Sequence, residues 1–468
     1  MSARTLPRVC VIGAGSTGIA ICKALGDRGV PWVCYEKSDR VGGNWVFKNK
    51  NGMSSAYRSL HINTSRDRMQ YADFPMPRSY PDFPHHSLIA AYFEQYVEAF
   101  GLRSGIRFET GVAQVRKDRG VFRVDDDRGG HDRFDAVVVS NGHHWCPRWP
   151  EPPFPGALDG IEMHSHHYVD PSEPHDLVGK RVVVVGMGNS AMDIACELSR
   201  PGVASRVFLA MRRGAWVIPN YIFGRPLDQA IPLPPWLPWR VRQGFGAAMH
   251  RLAVGRMERY GLPRPDHRLG EAHPTISSEL LPKLGRGDIV PKPNIAEKEG
   301  RRVRFVDGSV EDVDAIVYCT GYRVRFPFFD PAWISAPNND LPLFRRVFLP
   351  EEPGLQFAGL LQPLGAIMPL AEAQGRWLAA YYTGDYELPS RGAMVADIER
   401  ERREMFQRYV PSARHTMQVD FDDYLRDLAE EVSRGRARAR RRGGGVPLSA
   451  RAAALDSNDL RGRRPFPN

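Results

Sequence analysis

Paired cysteines are missing from this sequence. Its 468 residues hold six cysteines, Cys10, Cys22, Cys34, Cys146, Cys196 and Cys319, with no CxxC and no metal-ligand spacing. A disulfide framework, a structural zinc site and a dithiol redox centre are therefore excluded, and reduced thiols in a cytoplasmic protein are expected. A long apolar run is missing too. The longest uncharged stretch, Pro353 to Ala371, is broken by Gln356, Gln362, Pro363 and Gly365, so it reads as core and loop and no transmembrane segment is expected. The first fifteen residues pass from a polar lead straight into a strand-like run, without the pattern of a secretory leader. A basic body built for nucleic acid is also absent. The net charge is +10, but residues 433–468 carry ten arginines against two aspartates, which leaves +2 for the first 432 residues. No specific nucleic-acid partner is expected, and Arg434 to Arg442 with its following glycines reads as a disordered basic tail. Histidines come in neighbouring groups (His85-His86, His143-His144, and His164, His166, His167) without carboxylate or cysteine partners, so no metal is expected.

What is present is an ordinary globular mix, 42% hydrophobic and 25% charged, long enough for two to four domains. Val9 to Ile12 is a short apolar strand. Gly13-Ala14-Gly15-Ser16-Thr17-Gly18 follows it, then Ile19 to Leu25 at helical spacing, then the strand Val33 to Tyr35 ending in Glu36. Gly13 allows the tight turn, Gly15 lets the backbone approach a pyrophosphate, and Gly18 lets the helix pack on the sheet. The helix N-terminus would face phosphates, and Glu36 would accept from a ribose.

The pattern returns about 170 residues later. Arg181 to Val185 is the strand, Gly186-Met187-Gly188-Asn189-Ser190-Ala191 the turn, and Met192-Asp193 to Leu198 the helix. The next strand ends in Arg212-Arg213 instead of an acid, which favours the 2′-phosphate of NADP. Two such units predict an α/β fold with two Rossmann-like dinucleotide-binding domains. Two bound dinucleotides serve electron transfer, with NADPH delivering hydride to a flavin such as FAD on the first unit. The strands Asp135 to Val139 and Asp314 to Tyr318 look like returns to each sheet, so the NADP domain is expected inside the FAD domain. The boundaries read as 1–170 for the first part of the FAD domain, 171–321 for the NADP domain, 322–432 for the rest of the FAD domain and 433–468 for the tail. Proline-rich segments at 147–155 and 171–176 read as the crossings. Val303 to Val310, with Asp307-Gly308 inside it, reads as a hairpin. Residues 225–272 read as a proline-rich, partly helical insertion over a cleft, with peripheral membrane contact and a homodimer contact as the other readings. The aromatic stretch Ser87 to Phe100 reads as core.

At this point the chain resembles the flavin-containing monooxygenases over nearly all of residues 7–430. The motifs are Gly13 to Gly18, Glu36 to Trp45, Ile62-Asn63-Thr64-Ser65, Tyr71 to Pro75, Gly160 to Tyr168, Gly186 to Ala191, Arg212 to Trp216, Tyr318 to Tyr322 and Gln362 to Met368. In the middle signature Gly160, His164 and Tyr168 match, while Leu158 stands for the family's Phe and Val169 for its Lys. The resemblance implies FAD and NADPH as cofactors, O2 and a small-molecule nucleophile as substrates, and oxygenation of soft nitrogen or sulfur atoms through a flavin C4a-hydroperoxide. It implies Asn63 as the catalytic asparagine. It assigns Gly13 to Gly18, Glu36, Asn44, Trp45, Ile62, Asn63 and Thr64 to FAD, with Gln362 near the isoalloxazine end. Gly186, Gly188, Asn189, Ser190, Ala191, Met192 and Asp193 are expected to face the NADP pyrophosphate, and Arg212 or Arg213 its 2′-phosphate. A Baeyer–Villiger monooxygenase acting on ketones shares every cofactor motif, and an uncoupled NADPH oxidase is the third reading.

Overall fold

Valine-rich runs seed two sheets. In a parallel sheet covered on both faces every strand residue is buried, so alternation disappears and β-branched residues dominate. The computed structural model describes residues 6–230, 237–409 and 416–442. In chain order its main elements are β1 (Val9–Ile12), α1 (Ser16–Gly26), β2 (Trp32–Tyr35), α2 (His86–Ala99), β3 (Ile106–Arg107), β4 (Ala136–Val139) and β5 (Ile161–His164). There follow β6 (Arg181–Val185), α3 (Asn189–Leu198), β7 (Arg206–Met211), α4 (Trp239–Ala253) and β8 (Ile289–Pro293), then β9 (Ala315–Tyr318), β10 (Leu355–Phe357), α5 (Met368–Thr383) and α6 (Phe421–Arg441).

One five-stranded sheet runs β10-β4-β1-β2-β3 and the other β8-β7-β6-β9-β5, with every pairing parallel. Each puts its glycine-turn strand, β1 or β6, at the centre. The first sheet takes strands from both ends of the chain and the second only from the middle, so the second unit is inserted into the first. The crossings run side by side: Pro147 bridges Tyr322, Arg148 N–H donates to the Gly321 carbonyl (2.9 Å), and Arg323 N–H donates to that of Cys146 (2.9 Å).

Three expectations are corrected. β5 pairs with β9, and Gly156–Leu158 pairs with Ile295–Gly300, so the inserted unit starts near residue 156 and not at 171. The turn at 171–176 joins two strands of one sheet; the second crossing is at 319–325, where the chain leaves β9. The arginine run from Arg434 to Arg441 is helical, as the second half of α6. Tyr424, Leu428, Glu431, Gly435 and Ala439 recur every three or four residues and are buried. A Cβ on Gly435 would sit 1.9 Å from the Tyr386 ring, and Glu431 accepts from the Tyr386 hydroxyl (2.8 Å) and pairs with Arg438. Burial of one helix face overrides the composition of the other. The tail from 443 onward, and Pro232 to Trp236 of the insertion, lie outside the described residues.

The predicted hairpin forms from Arg302–Phe305 and Val310–Asp312. In α2, Tyr92, Phe93 and Tyr96 are fully buried, as expected for core. The longest helix of the insertion among the described residues is α4, which reaches the other unit. Arg242 pairs with Asp423 (3.4 Å), and the Arg408 guanidinium lies 3.9 Å from the Trp239 ring centroid. No helix among the described residues is long and apolar enough to cross a membrane.

Candidate functional site

Both glycine turns lie at the carboxyl ends of central strands, where open parallel sheets place their ligands. Gly13 has φ +100°, and a Cβ there would lie 2.7 Å from the Ser140 carbonyl oxygen. A Cβ on Gly18 would lie 1.8 Å from the Gly13 carbonyl oxygen, so α1 packs against the turn only with hydrogen at that position. The hydrogen bond nearest the start of α1 runs from Ile19 N–H to the Gly15 carbonyl (3.1 Å), which leaves the preceding amides directed out of the helix end. Gly15 faces the backbone of Gly43, with 3.8 Å from its ideal Cβ to the Gly43 Cα. These cradles fit a dinucleotide whose pyrophosphate meets bare backbone.

Glu36 ends β2 at 5% exposure. Its Oε2 accepts from Ala14 N–H and its Oε1 from Ser38 N–H, both at 2.7 Å. Burial raises its carboxyl above the ordinary value, and the two amides oppose that shift. Each oxygen keeps a lone pair, so the side chain both braces the turn and remains an acceptor. Asn44 Oδ1 accepts from the Ser55 N–H (2.8 Å) and hydroxyl (2.9 Å), and Trp45 packs half-buried on the core.

The segment with Asn63 is fixed on both sides of that residue. Ile62 is buried, with its N–H on the Pro84 carbonyl (3.1 Å), and Thr64 and Ser65 are buried. Asn63 itself is exposed, and no side-chain hydrogen bond of it occurs among the described residues. Ser65 N–H donates to Asp228 Oδ2 (2.7 Å), and Gln229 Nε2 donates to Ser65 Oγ (2.8 Å).

At the second turn Gly186 has φ +135°, and a Cβ would lie 2.6 Å from the Cys319 carbonyl oxygen. Gly188 caps α3, and its carbonyl accepts from Ala191 (3.0 Å) and Met192 (3.2 Å), so the amides of Asn189 and Ser190 are the open ones. Asn189 Oδ1 accepts from Ile276 N–H (2.9 Å). Two expected contacts are corrected: the Met192 side chain is fully buried in the core, and the Asp193 carboxylate accepts from the Tyr57 hydroxyl. Helical rotation carries both side chains away from the phosphate end. Arg213 is paired with Asp266 (2.6 Å), which that bond first, and His267 next, hold down at about 2. Arg212 is exposed, with no ion pair among the described residues. Gln362 begins the short strand Gln362–Leu364, which pairs with Gln418–Asp420.

Sequence reasoning missed Tyr57, Asp228 and Gln229. Their partners lie 136, 163 and 164 residues away, and no local pattern marks such contacts. His164, fully buried at the end of β5, lies 5.8 Å from Trp149 and 5.5 Å from Tyr322, ring to ring. Its Nδ1 accepts from His166 N–H (3.1 Å), and burial pushes it down to about 4. Among the described residues, no group of three or more His, Cys, Asp or Glu is placed to hold a metal ion.

Comparison with known proteins agrees with this architecture. The family model described as flavin-binding monooxygenase-like matches residues 6–436. The chain is 37% identical over 447 residues to flavin-containing monooxygenase 5 of Rattus norvegicus, covering 91% of this chain and 82% of the rat protein. It is 34% identical over 451 residues to dimethylaniline monooxygenase [N-oxide-forming] 2 of Macaca mulatta, with 91% and 82% covered. In fold it is similar to the S-allyl-L-cysteine S-oxygenase of Allium sativum, with TM-score 0.68 at 24% identity over 98% of this chain and 94% of that one. With two nucleotide cradles in nested parallel sheets and a family match over nearly its whole length, the chain belongs to the flavin-binding monooxygenase-like family of enzymes.

Proposed function

We propose that this protein is an NADPH- and O2-dependent monooxygenase that oxygenates soft nitrogen or sulfur atoms of small molecules. The observation that carries the reading is Asn63: an exposed, uncharged amide between buried neighbours, in a segment gripped by both units. Support also comes from the N-oxide-forming relative.

FAD would be held by the Gly13–Gly18 turn, Glu36, Asn44, Trp45 and Thr64, and NADPH by the Gly186–Ser190 turn with Arg212. Bound FAD would supply the acceptor for hydride from NADPH and the site of oxygen activation. The chain's residues do the rest. The open amides at the starts of α1 and α3 hold phosphates without a counter-ion. The Arg212 guanidinium, without an ion pair among the described residues, offers its fork to a 2′-phosphate. The Asn63 amide donates a hydrogen bond and has no proton to release near pH 7, so it orients an oxygen without promoting its loss as hydrogen peroxide. The insertion contact at Ser65 fixes the backbone two residues from Asn63.

The test is product analysis. Purified FAD-loaded protein with NADPH, air and a thioether or tertiary amine should yield close to one sulfoxide or N-oxide per NADPH. Preferential conversion of a cyclic ketone to a lactone would move the assignment to Baeyer–Villiger chemistry. Hydrogen peroxide matching NADPH mole for mole with every substrate would leave only an oxidase.

A further inference from the structure

We infer that Tyr57 and Asp193 are positioning residues, joining the Asn63 segment to the helix of the second nucleotide cradle so that the two sites keep one register. The inference rests on the site reading proposed above. Tyr57 is 4% exposed and lies six positions before Asn63; its hydroxyl donates to Asp193 of α3. Asp193 lies three residues after Ser190, one of the open amides of the second turn, which is about 4.5 Å along a helix axis. The bond therefore joins the segment that leads to Asn63 to the helix that opens at the second turn.

The contact is built, not incidental. Asp193 and Glu197 stand one turn apart on the same face of α3. Each receives a tyrosine hydroxyl: Tyr57 on Asp193, and Tyr168 on Glu197 at 2.7 Å. The two rings meet edge to face, 6.4 Å between centroids. Beside them Arg58 N–H donates to the Val169 carbonyl (2.8 Å), and its side chain pairs with Asp170 (2.8 Å). Burial lifts the Asp193 carboxyl to about 6; the Tyr57 hydrogen bond opposes that lift, while Glu279 and Glu197 add to it. A carboxylate held among two other acids needs its hydroxyl donor, so a tilt of α3 that broke the bond would leave a partly buried acceptor unpaired.

The test is amide hydrogen exchange on the FAD-loaded protein without NADPH, followed by coupling assays. Tyr57→Phe keeps the ring on Tyr168 and removes only the hydroxyl. Exchange over residues 54–65 should rise roughly tenfold, in line with one lost charge-assisted hydrogen bond. The NADP⁺ dissociation constant should rise several-fold, and hydrogen peroxide released per NADPH should at least double. Asp193→Asn should act in the same direction, and the double variant should do little more than either single. Should Tyr57→Phe fail to take up FAD, Asp193→Asn carries the comparison. Unchanged exchange over 54–65, or additive effects in the double variant, overturns the inference. Because exchange needs no turnover, a protein that oxygenated nothing would sink the proposed function without touching this result.

Discussion

The Ser65 amide and the Asp228 carboxylate, 163 residues apart, are hydrogen bonded at 2.7 Å. The bond ties the insertion to the residue two places after Asn63. Asp228→Ala should therefore loosen the Asn63 segment while leaving both cradles intact. Asp228 is exposed, so the loss is set at about 1 kcal/mol, or roughly fivefold in turnover to product. FAD content and the NADPH Michaelis constant should hold steady in the same preparations. A parallel fall in FAD content would place Asp228 in general folding instead.

Asn63→Asp replaces a donor amide with a carboxylate that only accepts at neutral pH. The variant should bind FAD normally, release more hydrogen peroxide and form less product. Product per NADPH equal to the parent's would remove Asn63 from the chemistry.

The two arginines after β7 should separate. Arg212 has no ion pair among the described residues, whereas Arg213 is engaged by Asp266. Arg212→Ala should raise the Michaelis constant for NADPH about 10- to 150-fold, the range for a charged hydrogen bond of roughly 1.5–3 kcal/mol, and change that for NADH little. Arg213→Ala should have the smaller effect. A steady-state comparison of both coenzymes decides it, and equal responses to the two would reject the assignment.

His164 makes stability depend on acid. Its folded value is about 4, below the ordinary 6.5, so its contribution is complete above pH 6.5 and is lost as pH falls toward 4. The span corresponds to about 3 kcal/mol. Denaturant midpoints measured from pH 7 to pH 4 should fall less steeply in His164→Gln than in the parent. Identical slopes would count against it.

Gly18→Ala tests the first cradle. With a Cβ 1.8 Å from the Gly13 oxygen, α1 must move off the turn. The purified variant should be colourless or nearly so. Full yellow colour, read by flavin absorbance per protein, would mean that the turn tolerates the shift.

Several features were legible because they are local. A valine run buried on both faces, a glycine where a turn needs positive φ, and an acid closing the second strand are each fixed within a few residues, so β1, α1, β2 and Glu36 could be read directly. The inserted topology followed from the two returning strands, β4 and β9. The reading failed where composition and burial disagree: Arg434 to Arg441 looks solvated, yet the helix it completes buries its opposite face on Tyr386.

From the sequence alone came two dinucleotide cradles, their nesting and the candidate amide at Asn63. The tertiary structure alone decided which unit β5 joins, that Asp193 turns to Tyr57 and not to a phosphate, and that Asp228 holds Ser65. Short-range patterns record the dihedral and burial demands of a single element. A hydrogen bond between residues more than a hundred positions apart is set by how whole sheets pack, and leaves no periodic trace in the chain.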